Sequence, residues 1–325
     1  MVDDFYRNFE NKFRGSTDLI RSRLEVYVQF LNPLIKNYPN GGLVDLGCGR
    51  GEWLELTSAL GFASIGVDAN EGMLDACKIK GLNVVSGDAI EYLSQLDDES
   101  QAAVSGFHIV EHIPFDVLRK LAAEALRVLK PGGLLILETP NPENLSVSNL
   151  TFYLDPTHIK PIPPELLGFV VEDTGFERIK TLRVNESKQF SSESTVELRD
   201  VFYSVSPDYA VIGRKAGAKL SSEINTHYWE SEFGVSLYEI LSIWDRKFSS
   251  YDSNVTQARL AAERSEAIAN QAKLAAEELS KIATEAQLSL EKIYQNKAWR
   301  ITAPIRWLAL LLRRFVSLLF ERRST

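Results

Sequence analysis

Gly47, Gly49 and Gly51 stand at alternate positions behind the short apolar run Leu43-Val44-Asp45-Leu46. Glycine lets a backbone take positive φ and pass close to a ligand, and a helix following from Glu52 aims its N-terminal amides at the same spot. Such a loop suits a nucleotide-containing cofactor. A dinucleotide fingerprint needs a further glycine where this chain has Glu52. A carboxylate there sits badly beside a pyrophosphate and is tolerable beside a thioether or a cationic sulfonium.

Acidic and imidazole groups follow at intervals. Asp68 ends a second apolar run, where a carboxylate can accept both ribose hydroxyls. Asp88, in Ser86-Gly87-Asp88-Ala89, ends a third run at a position suited to an adenine amino group. A fourth run leads into His108-Ile109-Val110-Glu111-His112, and Lys130-Pro131-Gly132-Gly133 reads as the turn into a fifth. His158 lies beyond it, in Asp155-Pro156-Thr157-His158. An imidazole near its unperturbed pKa takes a proton from a hydroxyl at neutral pH, so His158 is the expected general base. Asp155 is expected to orient it and Glu111 is a rival base. His108 is expected beside the cofactor, and His112 to cap a helix or stack internally. Arg7, Arg14 and Arg23 are cations available for a ligand carboxylate.

These groups need a scaffold that gathers loop ends. Strand-like runs at 43–46, 64–67, 83–86, 102–107 and 134–138 alternate with helical patterns, which predicts a parallel sheet with helices on both faces. Ligands of open α/β sheets sit at the carboxyl ends of the strands, so the loops above converge on one crevice. A helix over 18–31, closed by Pro33, precedes the sheet, and 176–184 with 209–214 read as a final strand pair.

The chain then divides into a helical N-terminal segment covering the cofactor (1–41), the sheet domain (42–216), an aromatic-rich helical connector (217–251), a long helix (252–299) and an amphipathic helix (300–325). Residues 252–299 hold no glycine or proline, which predicts a helix of roughly 70 Å at 1.5 Å per residue. Ile268, Ala275, Leu279, Ile282, Ala286 and Ile293 fall at three-and-four spacing, the pattern of a coiled coil. In the last helix Arg306, Arg313, Arg314 and Ser317 share one face, with Leu308, Leu311, Leu312, Phe315, Leu318 and Leu319 opposite. With Trp299 and Trp307 beside it, this helix is expected to lie in a lipid headgroup region, its arginines meeting anionic lipid.

Charge sorts the partners. The chain carries a net −8, yet from Lys297 onward seven basic residues face Glu321 alone, a net +6 that leaves −14 for the rest. General nucleic-acid binding is not expected; an anionic partner for the tail is. Cys48 and Cys77 have no CxxC spacing, which fits a reducing compartment, and no metal site is implied. The N-terminus lacks the layout of a secretory signal, so export is not expected.

Together and in order, DLGCGRG, the acid after the second run, GDA, EHIP and LKPGG resemble the class I S-adenosylmethionine-dependent methyltransferases over residues 42–214. That resemblance implies a Rossmann-like sheet and S-adenosyl-L-methionine as cofactor. It implies that Asp45, Gly47, Gly49, Asp68, Ala69, Met73, Gly87, Asp88, Ala89 and His108 hold the cofactor, with Tyr6, Arg7 and Arg23 at its carboxylate. Tyr6-Arg7-Asn8-Phe9-Glu10, Phe13-Arg14-Gly15-Ser16, the run from Glu138 to Asn144 and the run from Phe152 to His158 further resemble bacterial methyltransferases that cap O-antigen polysaccharides. This implies O-methylation of the non-reducing terminal sugar of a lipid-linked polysaccharide, ending elongation and setting chain length. It also implies a peripheral place on the cytoplasmic face of the inner membrane and a homo-oligomer through the coiled coil. Two alternatives stay open. One is a coiled-coil scaffold recruiting a polymerising glycosyltransferase; the other is a methyltransferase for a small membrane-soluble acceptor such as a quinone precursor.

Overall fold

Leucine- and valine-rich runs too short for helices, each followed by an amphipathic segment, assemble as seven strands with helices between them. The computed structural model describes residues 12–190, 194–217 and 227–321. The strands are β1 (Gly42–Leu46), β2 (Ala63–Asp68), β3 (Val84–Ser86), β4 (Gln101–Phe107), β5 (Leu129–Pro140), β6 (Arg178–Val184) and β7 (Asp208–Arg214). They lie in the order β3-β2-β1-β4-β5-β7-β6. β1 to β5 pair in parallel, and β7 runs antiparallel to both β5 and β6. This is a Rossmann-like sheet, and its strand order reverses at β1, where a ligand crevice belongs.

Successive residues of a strand face opposite sides, and the two sides are both buried. Leu135 and Leu137 of β5 join one core with Val44, Leu46 and Val104, while Leu134 and Ile136 join the other with Leu43, Tyr27 and Trp53. Asp45 shares the face of Leu43, so its carboxylate points to the side covered by the N-terminal helices.

Those helices differ from the expected single one. Thr17–Leu24 gives way to a 3-10 turn at Glu25–Tyr27 and then to a helix at Val28–Asn37, with Pro33 inside it rather than closing it. An interior proline costs about 3 kcal/mol. Phe30, Leu31 and Leu34 are buried around it, each contributing about 1.5–3 kcal/mol, and this burial outweighs the lost bond. Tyr228, Trp229 and Phe233 pack on Phe30, with ring centroids 6.5, 5.6 and 6.1 Å away. The aromatic segment therefore braces the N-terminal helix. The expected turn at Lys130–Gly133 lies within β5 as a bulge: Gln101 pairs with Leu129, but Ala103 already pairs with Leu134.

Contacts divide the chain into two units, Met1–Lys247 and Phe248–Thr325. The long helix runs from Leu237 to Gln295, 59 residues and about 88 Å at 1.5 Å per residue. It starts earlier than 252 because no breaker precedes that point and Ile240 and Ile243 bury against Val196, Val201, Val205 and Val235 within the first unit. It ends at Gln295 because Asn296 leaves helical geometry and caps Lys297–Ile301, accepting from the Ala298 amide at 2.9 Å. In the second unit Ile268, Leu279, Ile282 and Ile293 are exposed. The last helix, Ala303–Glu321, carries Pro304 in its first turn and exposes Trp307, Leu308, Leu311 and Leu312. Among the described residues no helix is long and apolar enough to cross a membrane.

Candidate active site

The loops after β1, β2, β3 and β4 open into one cavity of about 770 Å³, closed on another side by Phe13, Arg14, Ile20, Arg23 and Leu24. The glycine loop turns as its spacing demands. Gly47, Gly49 and Gly51 have φ of 68°, 52° and 80°, a region that side chains other than glycine's rarely adopt. A Cβ on Gly49 would meet nothing within 4 Å, so that backbone borders open space. The Gly49 amide donates to Asp68 Oδ2 at 2.9 Å, and the Asn70 amide donates to Oδ1 at 2.8 Å. Asp68 is thereby fixed at the cavity wall with its outward lone pairs available to a diol.

Asp45 is buried beneath this loop. Its Oδ1 accepts from the Ser105 hydroxyl at 2.8 Å, and Ser105 accepts in turn from Trp53 Nε1 at 2.9 Å. Burial pushes the Asp45 pKa up to about 8, although the Ser105 bond pulls the other way. A buried acid of that kind favours a positively charged ligand group. Asp88 caps the helix Ala89–Ser94, its Oδ1 accepting the Ile90 and Glu91 amides at 2.8 and 2.9 Å, so a nucleobase amino group would fall to Oδ2. Ala69, Met73, Gly87, Ala89, His108 and Arg23 all line the cavity. Tyr6 and Arg7 lie outside the described residues.

A polar floor follows β4. His108 adopts φ 54°, which turns its ring between acids: Nδ1 lies 3.2 Å from Glu111 Oε1 and Nε2 lies 3.4 Å from Glu138 Oε1. Burial works against the charged ring, but Glu111, Glu138 and Asp208 outweigh it and hold the His108 pKa well above the usual imidazole value. These acids favour the charged form of His108, which suits it poorly to the role of base. Glu138 also accepts from the hydroxyl of the fully buried Tyr27. Glu111 Oε2 accepts from Thr139 Oγ1 at 2.9 Å.

His158 and His112 stand beside this floor, ring centroids 4.7 Å apart and edge to face. His158 Nδ1 lies 2.6 Å from the Phe152 carbonyl, which can only accept, so Nδ1 carries the proton and Nε2 keeps its lone pair. Nε2 lies 4.0 Å from both Glu111 Oε1 and Asp155 Oδ2. This corrects the expected orienting role of Asp155. The Phe152 carbonyl holds the ring, while Asp155 Oδ1 accepts from the Thr157 amide and hydroxyl at 2.8 and 2.6 Å. Glu111 as a rival base is disfavoured, since His108 overrides burial to keep its pKa low. His112 does stack internally, on His158, and its Nδ1 meets Thr157 Oγ1 at 2.9 Å.

A methyltransferase-domain family model matches residues 19–181, just over half of the chain. The chain belongs to that family. It is a class I S-adenosylmethionine-dependent methyltransferase, and the crystal structure of a SAM dependent methyltransferase from Archaeoglobus fulgidus is 36% identical, covering 65% of this chain and 100% of that one with a TM-score of 0.56. A tRNA (carboxymethyluridine(34)-5-O)-methyltransferase of Arabidopsis thaliana is 33% identical over 119 residues, 36% of this chain and 28% of that protein. A ubiquinone biosynthesis O-methyltransferase of Hahella chejuensis is 33% identical over 110 residues, 32% of this chain and 44% of that protein. The matched stretch thus spans less than half the length of these two curated relatives.

S-adenosylmethionine fits the residues present: open backbone at Gly49, a fixed diol acceptor at Asp68, and a buried acid at Asp45 for positive charge. Sequence reasoning missed Glu138 and Asp208 as wall groups and Tyr27 as the donor behind Glu138, although one acid closing Leu134-Leu135-Ile136-Leu137-Glu138 is a signal of its own. It also ranked Arg14 below Arg7 and Arg23. Arg14 lines the cavity and reaches Glu52, at the very position that had argued against a dinucleotide.

Proposed function

We propose that this methyltransferase transfers the methyl group to a hydroxyl of the non-reducing terminal sugar of a lipid-linked O-antigen polysaccharide, ending elongation and setting chain length. The observation that carries hydroxyl transfer is the bond from His158 Nδ1 to the Phe152 carbonyl, which turns the lone pair of Nε2 inward. S-adenosylmethionine supplies a methyl carbon made electrophilic by its sulfonium. The protein has to hold an acceptor oxygen in line with that carbon and accept its proton, a role worth about 10²–10⁴ in rate. Nε2 of His158 is the group in position to do so.

Support for a large, membrane-tethered acceptor comes from outside the cavity. A small acceptor needs neither a 59-residue helix nor a basic amphipathic helix at Ala303–Glu321. Leu150 and Tyr153, exposed next to the cavity-lining Thr151 and Leu154, offer a surface to an extended chain. The exposed stripe of Ile268, Leu279, Ile282 and Ile293 supports self-association, and a polymerising glycosyltransferase is a further partner in this reading. The site of action is the cytoplasmic face of the inner membrane, reached peripherally.

A second reading, a quinone precursor as acceptor, is favoured by the similarity to ubiquinone biosynthesis O-methyltransferases. Labelled S-adenosylmethionine offered with synthetic oligosaccharides of defined terminal sugar, and separately with a prenylated catechol, tests both. Label on the terminal sugar supports the first reading; label confined to the catechol replaces it with the second.

A further inference from the structure

The rings of His112 and His158 stand 4.7 Å apart, edge to face, in the wall of the cavity. His158 bonds the Phe152 carbonyl through Nδ1, which leaves Nε2 as the acceptor atom of the neutral ring, and that atom lies 4.0 Å from the Glu111 carboxylate, beyond hydrogen-bond reach. His112 is fixed in the same tautomer. The Thr157 hydroxyl donates to Asp155 Oδ1, so at 2.9 Å from His112 Nδ1 it must accept, and His112 Nε2 is left as the lone-pair atom. Ligand-capable atoms of Glu111, His112 and His158 all lie within 4.8 Å of one another. A carbonyl behind one imidazole and a hydroxyl-carboxylate relay behind the other are the outer partners that metal-binding histidines use.

We propose that Glu111, His112 and His158 bind a divalent ion of the zinc type, with a fourth position left for the acceptor hydroxyl. Two imidazoles and one carboxylate with an open position form a Lewis-acid site. Bonds of about 2.05 Å set tetrahedral ligand atoms about 3.4 Å apart, so the 4.0 Å between His158 Nε2 and Glu111 Oε1 and the separations of at most 4.8 Å within the trio close with side-chain adjustments of roughly 0.5 to 1.4 Å. The neighbouring cluster of His108, Glu138 and Asp208 is not such a site, because His108 meets carboxylates through both nitrogens and has no lone pair to give. The proposal rests on the hydroxyl-transfer reading and changes one step of it. With an ion bound, the hydroxyl proton passes to Asp155 Oδ2 instead of His158. The acceptor oxygen forms the new C–O bond, the C–S bond breaks, and its electron pair stays on sulfur.

The test uses the full chain, dialysed against chelator and then titrated with Zn²⁺ by calorimetry and with Co²⁺ by visible absorption. One ion per chain and a tetrahedral Co²⁺ spectrum are expected. His112→Ala and Glu111→Gln should each weaken Zn²⁺ binding more than tenfold, and Thr157→Val, acting behind His112, by roughly tenfold, with S-adenosylmethionine still bound. Ion binding that these variants leave unchanged overturns the site. So does a chelator-treated protein that takes up no ion and methylates at full rate, an outcome that leaves the hydroxyl-transfer reading standing. One bound ion, lost in the variants, in a protein that methylates no hydroxyl acceptor would uphold the site and remove that reading instead.

Discussion

Arg14 grips Glu52 through two parallel hydrogen bonds, Nη1 to Oε1 at 2.7 Å and Nη2 to Oε2 at 2.6 Å. Burial alone would raise the Glu52 pKa, yet the guanidinium overrides it and holds the carboxyl below its usual range. The pair ties the N-terminal segment to the first turn after the glycine loop. Arg14→Ala leaves a buried anion unpaired, a change that costs 3–5 kcal/mol at full burial. Arg14 keeps 20% of its side chain exposed, so about 1–3 kcal/mol is expected here. Calorimetry should show weaker S-adenosylmethionine binding, with partial rescue in Arg14→Ala/Glu52→Gln; no rescue would mean that Arg14 acts on the ligand directly.

Cofactor affinity should rise with pH. Asp45, pushed up to about 8, is mostly neutral at pH 7 in the unliganded protein, whereas a ligand bearing ammonium and sulfonium charge favours its carboxylate. Binding at pH 7 therefore releases a proton, and affinity climbs by at most tenfold per pH unit up to about pH 8, then levels. Titrations in buffers of different ionisation enthalpy measure the proton. For folding the sign is opposite: the neutral acid's contribution is complete below the unfolded value of 3.8 and is lost as pH rises through about 8. Asp45→Asn should flatten both profiles.

His158→Gln should lower turnover by about 10²–10⁴ while leaving cofactor affinity within twofold of the parent. Unchanged turnover would remove the imidazole from the reaction.

Tyr27→Phe deletes a buried hydroxyl that donates to the Glu138 carboxylate. A bond to a charged buried group is worth about 1.5–3 kcal/mol, so thermal unfolding should show a clear fall in stability at constant side-chain volume.

The full chain should sediment with vesicles containing anionic phospholipid and much less with zwitterionic ones. Arg306 and Arg313 each contribute about 1 kcal/mol near such a surface, and Arg306→Glu/Arg313→Glu should reverse the preference. Equal binding by parent and variant would end the membrane reading.

The cofactor half of the site was legible in the sequence because local rules govern it. Gly47 and Gly49 announce a turn by residue type alone, and Asp68 and Asp88 stand where apolar runs end. The other wall was not legible, because it depends on strands that meet across the sheet. Asp208 reaches His108 only because β7 inserts between β5 and β6, a topology that no run of residues spells out. The His158 tautomer depends on the direction of one backbone carbonyl, at Phe152. The ends of the long helix were set by burial of Ile240 and by the Asn296 cap, against a smooth compositional signal.

Tyr27 and Glu138 stand 111 residues apart. On a growing chain, the first four strands can be made, and can begin to pair, before β5 exists to receive the tyrosine. Because domains assemble as the chain is synthesised from its N-terminus, the enzyme passes through a stage that has its glycine loop but not the bond from Tyr27 to Glu138. The final seating of the N-terminal helices should thus wait for β5 and report that the strand has joined the sheet.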